Sequence, residues 1–399
     1  MPSVVLFLIV HGLLAFSGPA GPPQSTPDTA RQEYRVFVGS EATDLISVVH
    51  FGPGGARVER EFTVGIFFND LDAPHGLAMS PTGDALYVTT GHGRPWGNLW
   101  KLDPESGRVL GRVELGHFPA SLEISPDGAF AWVANFNLHG DMVPSSVSVV
   151  STAEMVEIGR LTTCTMPHGS RLNALGSRQY STCMMDDLLV ESDAWDLSVG
   201  RHFMLAPGRE HGMVGAPAGA EGHHGAMPAP PPVGSHGEHQ GHGAPPSGQS
   251  AHAMPPAECS PTWAQPSADG RTIFVACNRS DEIVEVWVED WTLKRRLPAG
   301  EGVYNLAVTR DGALLVGTNK RGGSVSIFDA VSGEELARIP TARSFVHGVV
   351  ISPDDRYAFV SVEGVGSEPG TVEIIDLAAR QSTARVDVPQ MAGGITFWR

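Results

Sequence analysis

Apolar positions fall in short runs of about five or six residues, the length of a β-strand, separated by Gly, Pro, Asp and Ser. One phrase recurs with a period of about 45 residues, a spacing that marks repeat architectures. It consists of an apolar strand, a Ser-Pro-Asp-Gly turn, an aromatic-apolar strand, a loop and a Val-Ser-Val strand. The copies are HGLAMSPTGDALYVTT from His75, SLEISPDGAFAWVAN from Ser121, WAQPSADGRTIFVACN from Trp263, NLAVTRDGALLVGTN from Asn305 and GVVISPDDRYAFVSVEG from Gly348. A degenerate copy, RLNALGSRQYSTCMMDDLLVES from Arg171, has Gly176 and Ser177 in place of the turn.

Each copy predicts a four-stranded antiparallel blade: an inner strand, a hairpin whose Asp-Gly supplies positive φ, a second strand and two more. Val325 onward, VSIFDAVSGEELARIPT, reads as the outer pair. A further blade is split between the termini. YRVFVGSEATDLISVVHF from Tyr34 has the character of second and third strands, and GGITFWR at Gly393 to Arg399 is an inner strand without a hairpin partner. The predicted fold is therefore all-β, a seven-bladed β-propeller over 34–399 closed between the N- and C-termini.

The phrases LYVTT, FVACN and VSIFD resemble those of the YVTN-repeat propellers of bacterial envelopes, over about 34–205 and 255–399. That resemblance implies the fold. On function it is nearly silent, because the family spans binding proteins, lactonases and cofactor enzymes.

Composition agrees with many short strands and tight loops, with 47 Gly and 31 Pro in 399 residues. The 44 acidic against 27 basic residues, only three of them Lys, argue against nucleic acid or an anionic membrane surface as a partner. Residues 1–17, with an apolar run from Val4 to Phe16 followed by small residues, read as a secretory signal. Its apolar run is too short to span a bilayer, so no membrane span is expected after cleavage. A periplasmic or secreted location follows, with 18–33 as a flexible lead-in. In an oxidising compartment Cys164, Cys183, Cys259 and Cys277 are candidates for two disulfides. The expected pairs are Cys164 with Cys183 inside blade four and Cys259 with Cys277 inside blade five, with thiolate ligation of copper as the alternative.

Aligned on the turn, the first positions of the seven inner strands are Gly393, His75, Ala120, His168, Thr262, Tyr304 and His347. Inner strands line the axial channel, so His75, His168 and His347 predict an imidazole tripod suited to copper, zinc or iron. Tyr304 and His117 are additional donors, and His92, His139, Met166 and Met391 lie in the same loops.

Between blades four and five, about 206–256, lies a predicted disordered insertion of Gly, Pro, Ala, His and Met. Its His211, His223, His224, His236, His239, His242 and His252 form a candidate metal-capture tract, and imidazole with thioether favours copper. The function expected is an extracytoplasmic copper-binding propeller. The alternatives are a metal-dependent oxidoreductase, a lactonase-like hydrolase using Glu363, Arg171 and His347, and a metal-indifferent scaffold for an envelope protein. A small-molecule ligand at the channel mouth is compatible with each enzymatic version.

Overall fold

The computed structural model describes residues 32–66, 70–92, 96–220 and 256–399. Among these there is no helix, and seven antiparallel sheets succeed one another along the chain. Six have their strands in chain order. The seventh pairs the C-terminal strand Ala392–Phe397 with Tyr34–Ser40, followed by Leu45–Gly52 and Gly55–Thr63. Blade one is thus assembled from both ends of the chain, with Val36 opposite Phe397 and Val38 opposite Ile395.

Neighbouring blades bury their apolar faces against each other, so the core is a series of inter-blade layers. Val36, Val38 and Phe51 of blade one pack on Phe359, Val372 and Ile374 of blade seven. On its other face Phe37, Ile46 and Val48 meet Leu77, Leu86 and Val88 of blade two. The period-2 alternation of each strand supplies both faces.

The turn phrase behaves as its chemistry requires. Gly83, Gly128, Gly176, Gly270 and Gly312 all have positive φ at the hairpin. In the blade-seven copy Asp355 takes that conformation at φ 58°, and its carboxylate accepts the backbone N–H groups of Arg310 and Asp311. Asp tolerates the left-handed region better than most residues.

Two features differ from expectation. Cys164 lies in the outer strand of blade three, Val156–Thr165, so its disulfide to Cys183 joins blade three to blade four instead of closing within one blade. The outer strand simply runs on to the loop that opens the next blade. Cys259 and Cys277 pair within blade five as expected. Secondly, part of the 206–256 segment belongs to the fold: His211–Val214 adds a fifth strand to blade four, beside Ser198–Met204. Residues 221–255 and 1–31 lie outside the described residues, and with them the predicted signal and most of the His/Met tract.

Candidate functional site

Each inner strand is aimed at the axis by a repeated device. Two residues before the first channel position, Ala73, Phe118, Met166, Ser260, Gly302, Phe345 and Met391 all have positive φ. Six of these seven are not glycine, so the left-handed turn costs about 1–2 kcal/mol at each and is held by the loops around it. Asp44, for instance, accepts the backbone N–H groups of Asp72 and Ala73.

Hydroxyls at the penultimate position of the second strands fix the channel residues from behind. Thr89 accepts the Gly76 N–H and donates to the Ala120 carbonyl of the next blade. Thr318 does the same with Asn305 and His347, and Ser361 with Gly348 and Gly393. The backbone of His347 is thereby tied to blade six.

At the mouth so formed, Glu41, His75 and His347 come together, each offering a ligand atom within 4.8 Å of the others. His75 Nδ1 lies 2.7 Å from Glu41 Oε1, and His92 Nε2 lies 3.2 Å from Glu41 Oε2. Burial alone would raise the Glu41 carboxyl. The charge of His75 and the hydrogen bonds of His75 and His92 hold it instead below the usual carboxylate range. Glu41 is therefore an anion, only 8% exposed, among imidazoles.

Gly393 makes room for it. A Cβ at Gly393, the blade-one position of the ring, would stand 2.7 Å from Glu41 Oε1. The carboxylate reaches from the end of the blade-one second strand into the space that blade one's own ring residue leaves open. Blades seven, one and two are consecutive, which is why His347, Glu41 and His75 meet. His347 Nδ1 is buried without a hydrogen-bond partner, and its Nε2 lies 3.8 Å from Glu363 Oε1. Burial, with the ammonium of Lys320 nearby, pushes this imidazole well below its ordinary value.

The other predicted donors are distributed around this group. The three ring histidines do converge, with His75 centred 5.4 Å from His347 and 6.0 Å from His168. His168, however, has both nitrogens engaged: Nδ1 with the Thr262 carbonyl at 2.9 Å and Nε2 with the Tyr304 hydroxyl at 2.9 Å. Burial lowers its pKa to about 3 and lifts the Tyr304 phenol, so both stand neutral. They form a wall of the mouth, with Lys320 over the Tyr304 ring and bonded to Glu363 at 2.6 Å.

His117 is turned to Asn137 and packs on Trp96. His139 reaches His92 at 3.4 Å, and His211 sits exposed at the outer edge of blade four. The hydrolase trio is not one hydrogen-bonded set, since Glu363 pairs with Lys320 and Arg171 with Glu123. His223, His224, His236, His239, His242 and His252 lie outside the described residues.

Glu41 is the residue that the sequence reading missed. The same repeat alignment holds the signal one residue past each second strand: Glu41, Gly91, Phe136, Met184, Asn278, Lys320 and Glu363. Three of those seven are charged at positions next to a buried channel, where an unpaired charge is costly.

No protein-family model and no curated protein matches the sequence. Solved structures do match. The chain is similar to a putative 6-phosphogluconolactonase from Bacteroides fragilis, at 14% identity and TM-score 0.63, covering 94% of this chain and 99% of that one. One from Bacteroides uniformis gives the same identity and TM-score, with 92% and 99% covered. Kuenenia stuttgartiensis hydrazine synthase matches at 16% identity and TM-score 0.59, over 83% of this chain and 92% of that one. Likeness at these identities carries the propeller fold and nothing about chemistry.

Proposed function

We propose that this chain is an extracytoplasmic β-propeller that binds one transition-metal ion, copper before zinc or iron, at the axial mouth. His75, His347 and Glu41 hold the ion, and the His/Met-rich segment captures it. The observation that carries this reading is the approach of three donor groups to within 4.8 Å around a glycine that admits the carboxylate. The partnerless, buried His347 Nδ1 supports it, because an orphaned acceptor next to an anion is relieved by a cation.

Two imidazoles and a carboxylate suit divalent first-row ions, among which nitrogen and oxygen donors bind copper most strongly. The composition of 206–256 favours the same metal. Three protein donors leave coordination positions open toward the channel, so a small molecule can reach the ion. Two disulfides and an N-terminal segment of secretory character support the location.

The test is metal content by elemental mass spectrometry on tag-free protein offered equimolar copper, zinc and iron. We expect one copper per chain when 221–255 is replaced by a short Gly-Ser linker, and none when that tract-free protein also carries Glu41→Gln, His75→Ala and His347→Ala. Copper retained by that triple variant overturns the proposed site. Zinc or iron retained in its place overturns the choice of metal.

A further inference from the structure

Beyond the histidines the channel continues as a cavity of about 40 Å³, whose walls include Arg171, Trp263 and Asn305. These three each carry a buried polar atom without a hydrogen-bond partner: Arg171 Nε, Trp263 Nε1 and Asn305 Oδ1. Three such atoms among the residues of one small cavity are unusual, since buried polar groups are nearly always hydrogen-bonded. They call for an occupant.

Its chemistry follows from the donors. Arginine Nε and tryptophan Nε1 only donate hydrogen bonds, so the occupant must present acceptor oxygens. Asn305 adapts to either role, because its amide oxygen and nitrogen exchange places by a half-turn. The Arg171 guanidinium lies 4.5 Å over the Trp263 ring and 3.6 Å from Glu123. That carboxylate contact is longer than the usual charge-assisted bond of about 2.8 Å, so the positive charge is incompletely neutralised. Burial also raises the Glu123 carboxyl, weakening its repulsion of an anion.

Size narrows the class. The cavity holds about three waters by the usual allowance per molecule, which matches a planar ion of three or four heavy atoms and is too small for a tetrahedral oxyanion. We infer that the axial cavity beyond the histidines is a binding site for a small planar oxyanion of the carboxylate class, held by Arg171, Trp263 and Asn305. The inference does not rest on the proposed metal.

The experiment uses full-length protein stripped of metal by chelation, with formate as the probe, followed by saturation-transfer NMR and calorimetry. Formate is expected to bind in the millimolar range. Arg171→Gln and Trp263→Phe should each weaken it about tenfold, the loss of one charge-assisted or buried hydrogen bond, and sulfate should not compete. Asn305→Ala serves as a further variant if circular dichroism shows that Arg171→Gln fails to fold. Absence of formate binding, equal binding by the folded variants, or full competition by sulfate would each overturn the assignment. Because metal is absent throughout, failure here is distinguishable from failure of the metal site.

Discussion

A methyl group on Gly393 would stand 2.7 Å from Glu41 Oε1, whereas one on Gly394 would stand 2.0 Å from the His75 carbonyl oxygen. The first obstacle is the end of a flexible side chain and the second is backbone. Gly393→Ala is therefore expected to fold with nearly unchanged melting temperature but to bind metal at least tenfold more weakly, because the displaced carboxylate leaves two imidazoles alone. Gly394→Ala should lower the melting temperature itself, read by circular dichroism, and equal effects of the two substitutions would remove Glu41 from the site. His168 yields a second expectation at this scale. Its folded pKa of about 3 lies below the unfolded value of about 6.5, so the unfolded chain binds the extra proton. Stability attributable to it is full above pH 6.5 and declines by about 1.4 kcal/mol per unit as pH falls toward 3. His168→Gln should flatten the acid limb of a urea-unfolding series on metal-free protein. The histidine ring was legible in the sequence because the Asp-Gly turn supplies an alignment mark in nearly every repeat. What was illegible was the state of each nitrogen: His168 spends both on Thr262 and Tyr304, and no spacing along the chain reports that.

The strands show the same division between what pattern reveals and what packing decides. Period-2 alternation and turn residues were enough to place every blade, including the split one. The outer-strand ends carry no comparable mark, which is why the pattern places Cys164 in blade four although it closes blade three. The bond from Cys164 to Cys183 closes a loop 19 residues long, worth about 3 kcal/mol by chain entropy. It joins blades three and four, whereas Glu41, His75 and His347 belong to blades one, two and seven. Replacing both cysteines with Ser should lower the melting temperature by several degrees and leave metal stoichiometry at one. Loss of the metal in that folded variant would mean that the mouth depends on blades three and four. Thr318 presents the opposite case: its hydroxyl joins Asn305 N–H to the His347 carbonyl. Thr318→Val keeps the shape and strands both partners, so a stability loss of about 1–3 kcal/mol should come with weakened metal binding.

Closure makes the whole ring a condition of the site, since Glu41 and Gly393 reach the mouth from opposite ends of the chain. The first and last described residues lie close together: Arg35 N–H donates to the Arg399 main-chain oxygen at 2.5 Å, and Trp398 N–H to the Arg35 carbonyl at 2.9 Å. Joining Arg399 to Gln32 by a short linker should therefore cost little, and new ends can be opened where 221–255 is left out. Such a permutant, beginning at Pro256 and ending at Ala220, keeps every strand and all three donors while lacking the His/Met tract. It should melt cooperatively and hold one copper per chain even in excess copper, whereas the full chain, which keeps the tract, should take up more. A shortened chain lacking Ala392–Phe397 and the two residues after it should behave differently. It deprives Tyr34–Ser40 of its inner partner and Ser361 of the Gly393 carbonyl, so both the cooperative transition and the tight ion should disappear together. If the permutant folds but holds no copper, the ion in the full chain belongs to the tract, and the axial group is only a hydrogen-bonded cluster that closes the ring.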